Sequence, residues 1–67
     1  MSRLPSLKPR EVLKILRQNG FVEKRQVGSH RQLFHPASKL RVTVPIHNRD
    51  LKRKTLISIL RQAKVDI

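Results

Sequence analysis

Apolar residues recur at three- and four-residue spacing between residues 9 and 18, and basic or polar residues fill most of the positions between them. This spacing places the apolar side chains on one face of a helix. Pro9 suits the first position of a helix, and Gly20 accepts the left-handed backbone conformation that ends many helices. The pattern therefore predicts a first helix over residues 9–18.

Three shorter segments of strand character follow the helix. In the clearest of them Leu40, Val42 and Val44 alternate with polar residues, as expected of a half-buried strand. Short turns separate the segments and favour an antiparallel meander, because antiparallel strands can be joined by as few as about two residues. The predicted strands are residues 21–27, 30–35 and 40–44.

Helical spacing of apolar residues returns near the C-terminal end. Thr55 is expected to cap or begin a second helix, whose apolar stripe would pack against the sheet. The polar, mainly basic segment 46–54 is expected to form the connection that precedes this helix. The stripe consists of Leu56, Ile59, Leu60 and Ala63.

The order of these elements predicts the fold class. A helix, three strands and a helix indicate an α+β fold, α-β-β-β-α, in which two helices cover one face of a three-stranded antiparallel sheet. A chain of 67 residues is expected to form a single small domain, residues 1–67, with its core within about residues 6–66. The core of such a domain is thin, so we do not expect a deep site for a small-molecule substrate.

The charge balance points to an anionic partner. Sixteen Lys and Arg residues stand against four Asp and Glu residues, which gives a formal net charge of +12. Nucleic acid, an acidic membrane surface and an acidic protein would all fit this charge. Because the basic residues are spread along the whole chain, we favour a folded cationic surface that binds nucleic acid, and an acidic protein partner remains compatible with it.

The composition also bears on the compartment. The chain has no cysteine, which excludes disulfides and cysteine-based zinc sites. It has no run approaching the ~20 apolar residues that a membrane-spanning helix requires. Its N-terminal residues show no apolar segment of a secretory signal. We therefore expect a cytoplasmic protein without a membrane partner.

His30 is the main candidate for catalysis. It follows the turn-forming pair Gly28-Ser29, and an imidazole can both accept and donate a proton near neutral pH. Cleavage of a phosphodiester needs both of these transfers. An isolated histidine is nevertheless more often a polar strand residue without a catalytic task, so its position alone leaves both interpretations open.

Three blocks of the sequence carry a likeness to a known family. They are residues 16–21, residues 27–31, and residues 42–47 with 55–63. These blocks resemble the HicA-type toxins of toxin–antitoxin systems, also described as YcfA-like proteins, and the likeness covers about residues 6–66. It implies a fold similar to the double-stranded RNA-binding domain, and an mRNA interferase, an endoribonuclease that is blocked by a HicB-type antitoxin. We expect the reaction to need no cofactor.

The resemblance assigns the catalytic role to the histidine of the Gly-Ser-His block. His30, as an uncharged base, would accept the proton of an RNA 2′-hydroxyl, and a requirement for that hydroxyl would restrict cleavage to RNA. Gly28 and Ser29 would let a phosphate approach the backbone. Arg31 or a lysine would stabilise the negative charge of the phosphorane.

Two basic segments are predicted to bind the RNA. Lys24 and Arg25 precede the Gly-Ser-His block. The densest cluster, Lys52, Arg53 and Lys54, stands just before the second helix. In double-stranded RNA-binding domains the start of the second helix meets phosphates across a groove, and we expect the same of this cluster with mRNA.

The other two histidines receive no catalytic role. His35 lies five positions from His30, so on one regular strand the two side chains point to opposite faces. His47 follows Pro45-Ile46 and is expected to mark a structural corner. The spacing of the three histidines matches no familiar ligand pattern, so no metal site is predicted.

Two lysines depart from the family pattern. Lys54 and Lys64 stand where the family usually has glycine, and both concern the ends of the second helix.

Two other functions remain open. The same fold would suit a non-catalytic RNA-binding module. A DNA-binding regulator is disfavoured, because neither helix presents base-reading Asn or Gln at its start.

Overall fold

The computed structural model describes residues 5–66 and contains the predicted order of elements. These are α1 Pro9–Gln18, β1 Val22–Val27, β2 His30–Phe34, β3 Arg41–Pro45 and α2 Arg53–Ala63. The strands form one antiparallel sheet with β2 in the centre. The prediction for α1 is confirmed, and the predicted strands agree to within one residue at either end. Residues 1–4 and 67 of the predicted domain lie outside the described residues.

Local hydrogen bonds fix both ends of α1. At its start the Glu11 carboxylate accepts a hydrogen bond of 2.8 Å from the Lys8 backbone N–H, which the helix itself leaves unpaired. At its end Gly20 adopts φ +93°, and the Phe21 N–H donates to the Leu16 carbonyl at 3.0 Å. This left-handed glycine turns the chain directly from α1 into β1.

The second helix begins two residues earlier than predicted. The sequence indicates Thr55 as its start, but α2 begins at Arg53, after Lys52 in an extended conformation. No side chain caps this end, so the usual capping signal is missing. The start is set by Leu51, which is buried and whose N–H donates to the Leu7 carbonyl at 2.8 Å.

The C-terminal end of α2 resembles that of α1, except that a lysine replaces the glycine. Lys64 adopts φ +55° in the left-handed region, and the Val65 N–H donates to the Leu60 carbonyl at 3.0 Å. Residues other than glycine adopt this conformation only at a cost, because Cβ crowds the following carbonyl. One of the two departures from the family pattern therefore falls on a strained backbone position.

The sheet has one face covered by helices and one face open to solvent. Leu33, Val42 and Val44 point to the first, the covered face, where each is at most 2% exposed. Apolar residues of both helices join them in one core. The alternate strand residues, which are exposed or half-buried, form the open face. The open face consists of Val22, Lys24, Arg25, Val27, His30, Gln32, Phe34, Arg41, Thr43 and Pro45.

A β-bulge in β1 changes the alternation of its side chains. Glu23 pairs with Leu33, and the next paired residue is Arg25, opposite Gln32, so Lys24 is the extra residue. Bulges redirect neighbouring side chains. Here Lys24 and Arg25 both line the open face, so the bulge brings two consecutive basic residues to the same side of the sheet.

The layering fits the architecture that the resemblance implies. A small α+β domain with one three-stranded antiparallel sheet and two helices on one face is consistent with the double-stranded RNA-binding-domain fold. Neither helix within residues 5–66 has the length and hydrophobicity that crossing a bilayer requires.

Candidate active site

A two-residue turn, Gly28-Ser29, joins β1 to β2 and places His30 at the start of its strand. Gly28 has φ +59° and Ser29 does not have a positive φ, the combination found in a type II′ turn. The Gln26 amide donates to the Gly28 carbonyl at 3.0 Å, and the Ser29 carbonyl accepts from the Ile46 N–H at 2.6 Å. A Cβ on Gly28 would meet nothing within 4 Å, so a ligand can approach the turn from outside.

The His30 side chain lies on the open face and is exposed to solvent. Its cross-strand neighbours are Val27 of β1 and Pro45 of β3. Within residues 5–66 its ring makes no hydrogen bond, whereas the rings of His35 and His47 each accept one from a nearby backbone N–H. Both ring nitrogens of His30 are therefore accessible to a substrate.

Arg31, predicted as a supporting cation beside His30, points instead to the covered face. Its guanidinium forms an ion pair with Glu23 and donates to the Gln26 amide oxygen at 2.9 and 2.7 Å. Arg17 of α1 pairs with the other oxygen of the same carboxylate. Hydrogen bonding from Arg31, helped by Arg17, outweighs partial desolvation and lowers the pKa of Glu23. Arg31 thus ties β2 to β1 on the side away from His30.

Two of the predicted RNA-binding residues, Lys24 and Arg25, share the open face with His30. Arg25 lies opposite Gln32, one row along the sheet from the pair formed by Val27 and His30. Diagonal neighbours of this kind are separated by about 7–8 Å, which a long side chain can bridge. Arg25 is therefore the basic residue that strand register brings next to His30 on its own face.

The other predicted RNA-binding residues, Lys52, Arg53 and Lys54, surround the start of α2 and are all exposed. They do not belong to the open face. The chain leaves β3 beside His30 and enters α2 after a short connection. The start of α1, at Lys8 and Pro9, lies beside Ile46 at the end of β3, and the Leu51 N–H is bonded to the Leu7 carbonyl. The cluster after Leu51 is therefore near the end of the sheet that contains the Gly28-Ser29 turn.

Sequence reasoning missed the four polar, basic or aromatic residues of the open face that complete its groove. Together with Lys24 and Arg25 they line a shallow groove of about 570 Å³. Its aromatic side chain is Phe34, whose ring centroid lies 5.9 Å from Lys24 Nζ and 5.6 Å from Arg41 Cζ. A signal existed for two of them, because alternate residues of β2 share a face with His30. The four residues are Gln32, Phe34, Arg41 and Thr43.

The other two histidines make local contacts. The His35 ring packs edge-on against the buried Phe21 with ring centroids 5.0 Å apart, so it lies on the covered side, opposite His30. His47 Nδ1 accepts from the Arg49 N–H at 3.2 Å in the connection after β3. Within residues 5–66 no three His, Asp or Glu side chains are grouped as metal ligands would be.

Comparison with known protein families gives a match over most of the chain. A family model described as HicA toxin of bacterial toxin-antitoxin matches residues 9–65, which contain both helices and the whole sheet. The match includes the Gly28-Ser29-His30 block and confirms the resemblance seen in the sequence. No curated protein matches the chain.

Proposed function

The chain belongs to the HicA toxin family of bacterial toxin–antitoxin systems, and we propose that it is an endoribonuclease that cleaves mRNA with His30 as general base. The position of His30 carries this proposal. The ring is exposed and free of hydrogen bonds within residues 5–66, and it follows a glycine turn that a ligand can approach. Toxins of this family are generally of the ribonuclease type, which agrees with that chemistry.

In the proposed reaction His30 accepts the proton of an RNA 2′-hydroxyl. The 2′-oxygen attacks the adjacent phosphorus, so the bond from phosphorus to the 2′-oxygen forms while the bond to the 5′-oxygen breaks. The leaving 5′-oxygen takes a proton from water, and the hydroxide that remains takes the proton held by His30, which restores the base. The products are a 2′,3′-cyclic phosphate and a 5′-hydroxyl, and DNA is not cut because it lacks the attacking hydroxyl.

Arg25 is the proposed source of positive charge at the reacting phosphate. A phosphorane carries more negative charge than the ground-state diester, so a cation fixed beside it lowers the barrier. Arg31, the supporting cation expected from the sequence, is paired with Glu23 on the covered face, which favours Arg25 for this role. Arg25 is on the open face and one row from His30, which supports its role.

Phosphates away from the reacting one are proposed to contact the remaining basic residues. Gly28 and Ser29 leave backbone groups accessible at the turn, and Lys24 lies on the open face. The cluster of Lys52, Arg53 and Lys54 is exposed at the same end of the sheet. Contacts of this kind position a strand but carry little sequence information, so we expect broad cleavage specificity.

Membership of the family implies an antitoxin partner. We propose a HicB-type antitoxin whose acidic surface covers the cationic residues around His30 and so prevents RNA from reaching it. We further propose that residues 1–67 act as one domain, without a cofactor and without a small-molecule substrate. Because mRNA is the proposed substrate, the proposed place of action is the cytoplasm.

The experiment that tests the function is cleavage of a mixed-sequence RNA by the purified protein. His30→Ala should lower the cleavage rate by roughly 10²–10⁴, the usual contribution of a general base, with unchanged thermal unfolding. An otherwise identical substrate with 2′-deoxyribose should remain intact, and a chelator should not slow the reaction. The 5′ fragment should end in a 2′,3′-cyclic phosphate.

His47→Ala is the matched control, because His47 is also exposed but lies outside the open face, in the connection after β3, where its ring accepts a hydrogen bond from the Arg49 N–H. It should cleave at the rate of the parent protein. Undiminished cleavage by His30→Ala would contradict the catalytic role of this histidine. Tight RNA binding by the parent protein without any cleavage would instead favour the non-catalytic RNA-binding module.

A further inference from the structure

Phe34 is an aromatic side chain on the solvent-facing surface of the sheet, where it lies opposite Val22 and is flanked by two cations. The chain contains two Phe residues and neither Tyr nor Trp. Phe21 is buried in the core, whereas Phe34 is half-buried on the open face. The side chains that line the groove with it are mainly basic or polar, and Lys24 Nζ and Arg41 Cζ lie within 6 Å of its ring centroid. A solvent-accessible ring among cations is a typical element of single-strand nucleic-acid sites.

The charge of the open face is of one sign. Lys24, Arg25 and Arg41 are all on it. The chain has only four acidic residues, and within residues 5–66 none of them is on this face. They lie on α1, on the covered face, in the connection before α2 and after α2. The four are Glu11, Glu23, Asp50 and Asp66.

The open face also has groups that suit the edges of unpaired bases. Gln32 and Thr43 are cross-strand partners in the middle of the sheet, and their amide and hydroxyl groups both donate and accept hydrogen bonds. Phe34 and His30 stand on the same side of β2, four residues apart, which corresponds to about 13 Å along a strand. A short run of extended RNA can therefore reach from the ring to the proposed base.

We propose that the open face binds single-stranded RNA, with an unpaired base stacked on Phe34 and its flanking phosphates held by Lys24 and Arg41. This inference rests on the proposed function, because the same strand must present a ribose to His30. A duplex does not fit this site, since its bases are already stacked on one another and its major groove does not admit side chains. The preferred substrate is therefore an unpaired segment of mRNA.

The test measures binding, with cleavage prevented by His30→Ala in every protein used. Fluorescence anisotropy compares a labelled oligouridylate with a blunt RNA duplex. Phe34→Leu, which keeps an apolar side chain and removes the ring, should weaken oligouridylate binding roughly fivefold to a hundredfold, the usual contribution of one stacked base. Duplex binding should change by less than about twofold, because phosphate contacts dominate it.

Val22→Ala provides the matched control. Val22 is 48% exposed and lies directly opposite Phe34 on the same face, but it has no ring to stack. Its affinity for oligouridylate should stay within about twofold of the parent value, the change expected when no stacking contact is lost. Thermal unfolding monitored by circular dichroism verifies that each variant is folded.

Phe34→Trp supplies a second measurement that does not depend on the stability of Phe34→Leu. Because the chain has no other Trp or Tyr, the new indole is the only such fluorophore. Oligouridylate should quench its emission and bind at least as tightly as to the Phe34 protein. An acidic peptide, poly-glutamate, should not quench it.

Three results would overturn the proposal. These are equal oligouridylate affinity with Leu or Phe at position 34, unchanged Trp emission on RNA binding, or quenching by poly-glutamate but not by RNA, which would make the face a protein-docking surface. None of them depends on cleavage. If the parent protein binds RNA through Phe34 but does not cut it, the nuclease function fails while this proposal stands. If cleavage requires His30 but oligouridylate affinity is the same with Leu or Phe at position 34, this proposal fails while the nuclease function stands.

Discussion

The two faces of the sheet are built from the same three strands but serve different purposes. On the covered face Leu33, Val42 and Val44 are almost completely buried and join both helices in the core. On the open face the alternate residues are exposed or half-buried and include His30 and Phe34. Stability therefore depends on one face, and the proposed RNA chemistry on the other.

The acidic and basic residues follow the same division. Glu23 on the covered face pairs with Arg31 and Arg17, so its negative charge is used within the fold. On the open face Lys24 and Arg25 form no ion pair with any acidic residue of the described range 5–66. Basic residues within one short stretch of chain therefore differ in availability. Arg17 and Arg31, which pair with Glu23, support the structure, and Lys24 and Arg25 on the open face are left for an anionic partner.

Neighbouring residues of β2 should show the largest contrast between the faces. Leu33→Ala removes a side chain that is 1% exposed and should lower the free energy of unfolding by about 2–5 kcal/mol. Gln32→Ala, on the open face, should change it by less than about 0.5 kcal/mol. Urea denaturation of both variants measures the difference. Similar destabilisation by the two would contradict the division of the sheet.

The two arginines near His30 should separate function from stability. Arg25→Ala should slow RNA cleavage at least roughly tenfold through loss of charge at the phosphorane, with little effect on unfolding. Arg31→Ala should lower the free energy of unfolding by about 1–2 kcal/mol, because hydrogen bonds to a charged partner are lost. Cleavage assays at a temperature where both variants are folded, with urea denaturation alongside, test this. A larger reduction of the cleavage rate in Arg31→Ala than in Arg25→Ala would contradict the proposed role of Arg25.

Lowering the pH should lower the free energy of unfolding, because it protonates Glu23 on the covered face. Its pKa is lower in the folded protein than the ordinary value of 4.5, so the ionised form is favoured by folding. The resulting stabilisation is complete above the ordinary value and is lost as the pH falls through the lower folded value. Glu23→Gln should cost no more than about 1 kcal/mol at neutral pH. The stability difference between Glu23→Gln and the parent should shrink in acid, and a difference that grows in acid would contradict the assigned ion pairs.

The smallest expected effect is a gain in stability outside both faces. Lys64 is in the left-handed conformation that Gly20 adopts at the end of α1. Lys64→Gly removes about 1–2 kcal/mol of left-handed strain and adds a smaller entropic cost, so it should raise the free energy of unfolding by about 0.5–1 kcal/mol. The cleavage rate should not change. Lys64→Ala is the control and should not stabilise, since it keeps Cβ. A loss of stability in Lys64→Gly would show that the backbone strain is not significant.

Much of the fold could be predicted from local patterns. Pro9 and Gly20 are strong boundary signals, and α1 was predicted with its observed bounds. The alternation of Leu40, Val42 and Val44 identified β3 to within one residue. The start of α2 was missed because Lys52 offers no capping side chain, and a contact between distant backbone groups, Leu51 to Leu7, fixes it instead.

The candidate site was predictable only in part. The parity of positions from His30 onwards puts His35 and Arg31 on the face opposite His30, and it puts Phe34 on the same face as His30. Arg31 was predicted to support His30 because the two are adjacent in the chain, but adjacent strand residues point to opposite faces. Arg41, by contrast, comes from another strand, and only the register of β2 and β3 brings it to the Phe34 ring.

The sequence by itself determined the order of the elements, the excess of positive charge and the position of a histidine after a glycine turn. These depend on side chains close together in the chain, whose spacing and backbone preferences act locally. The tertiary structure decided which basic residues are available to a partner. A bulge that turns Lys24 and Arg25 to one side, and an acidic residue that engages Arg31 on the other, both arise from strand pairing, which no local pattern specifies.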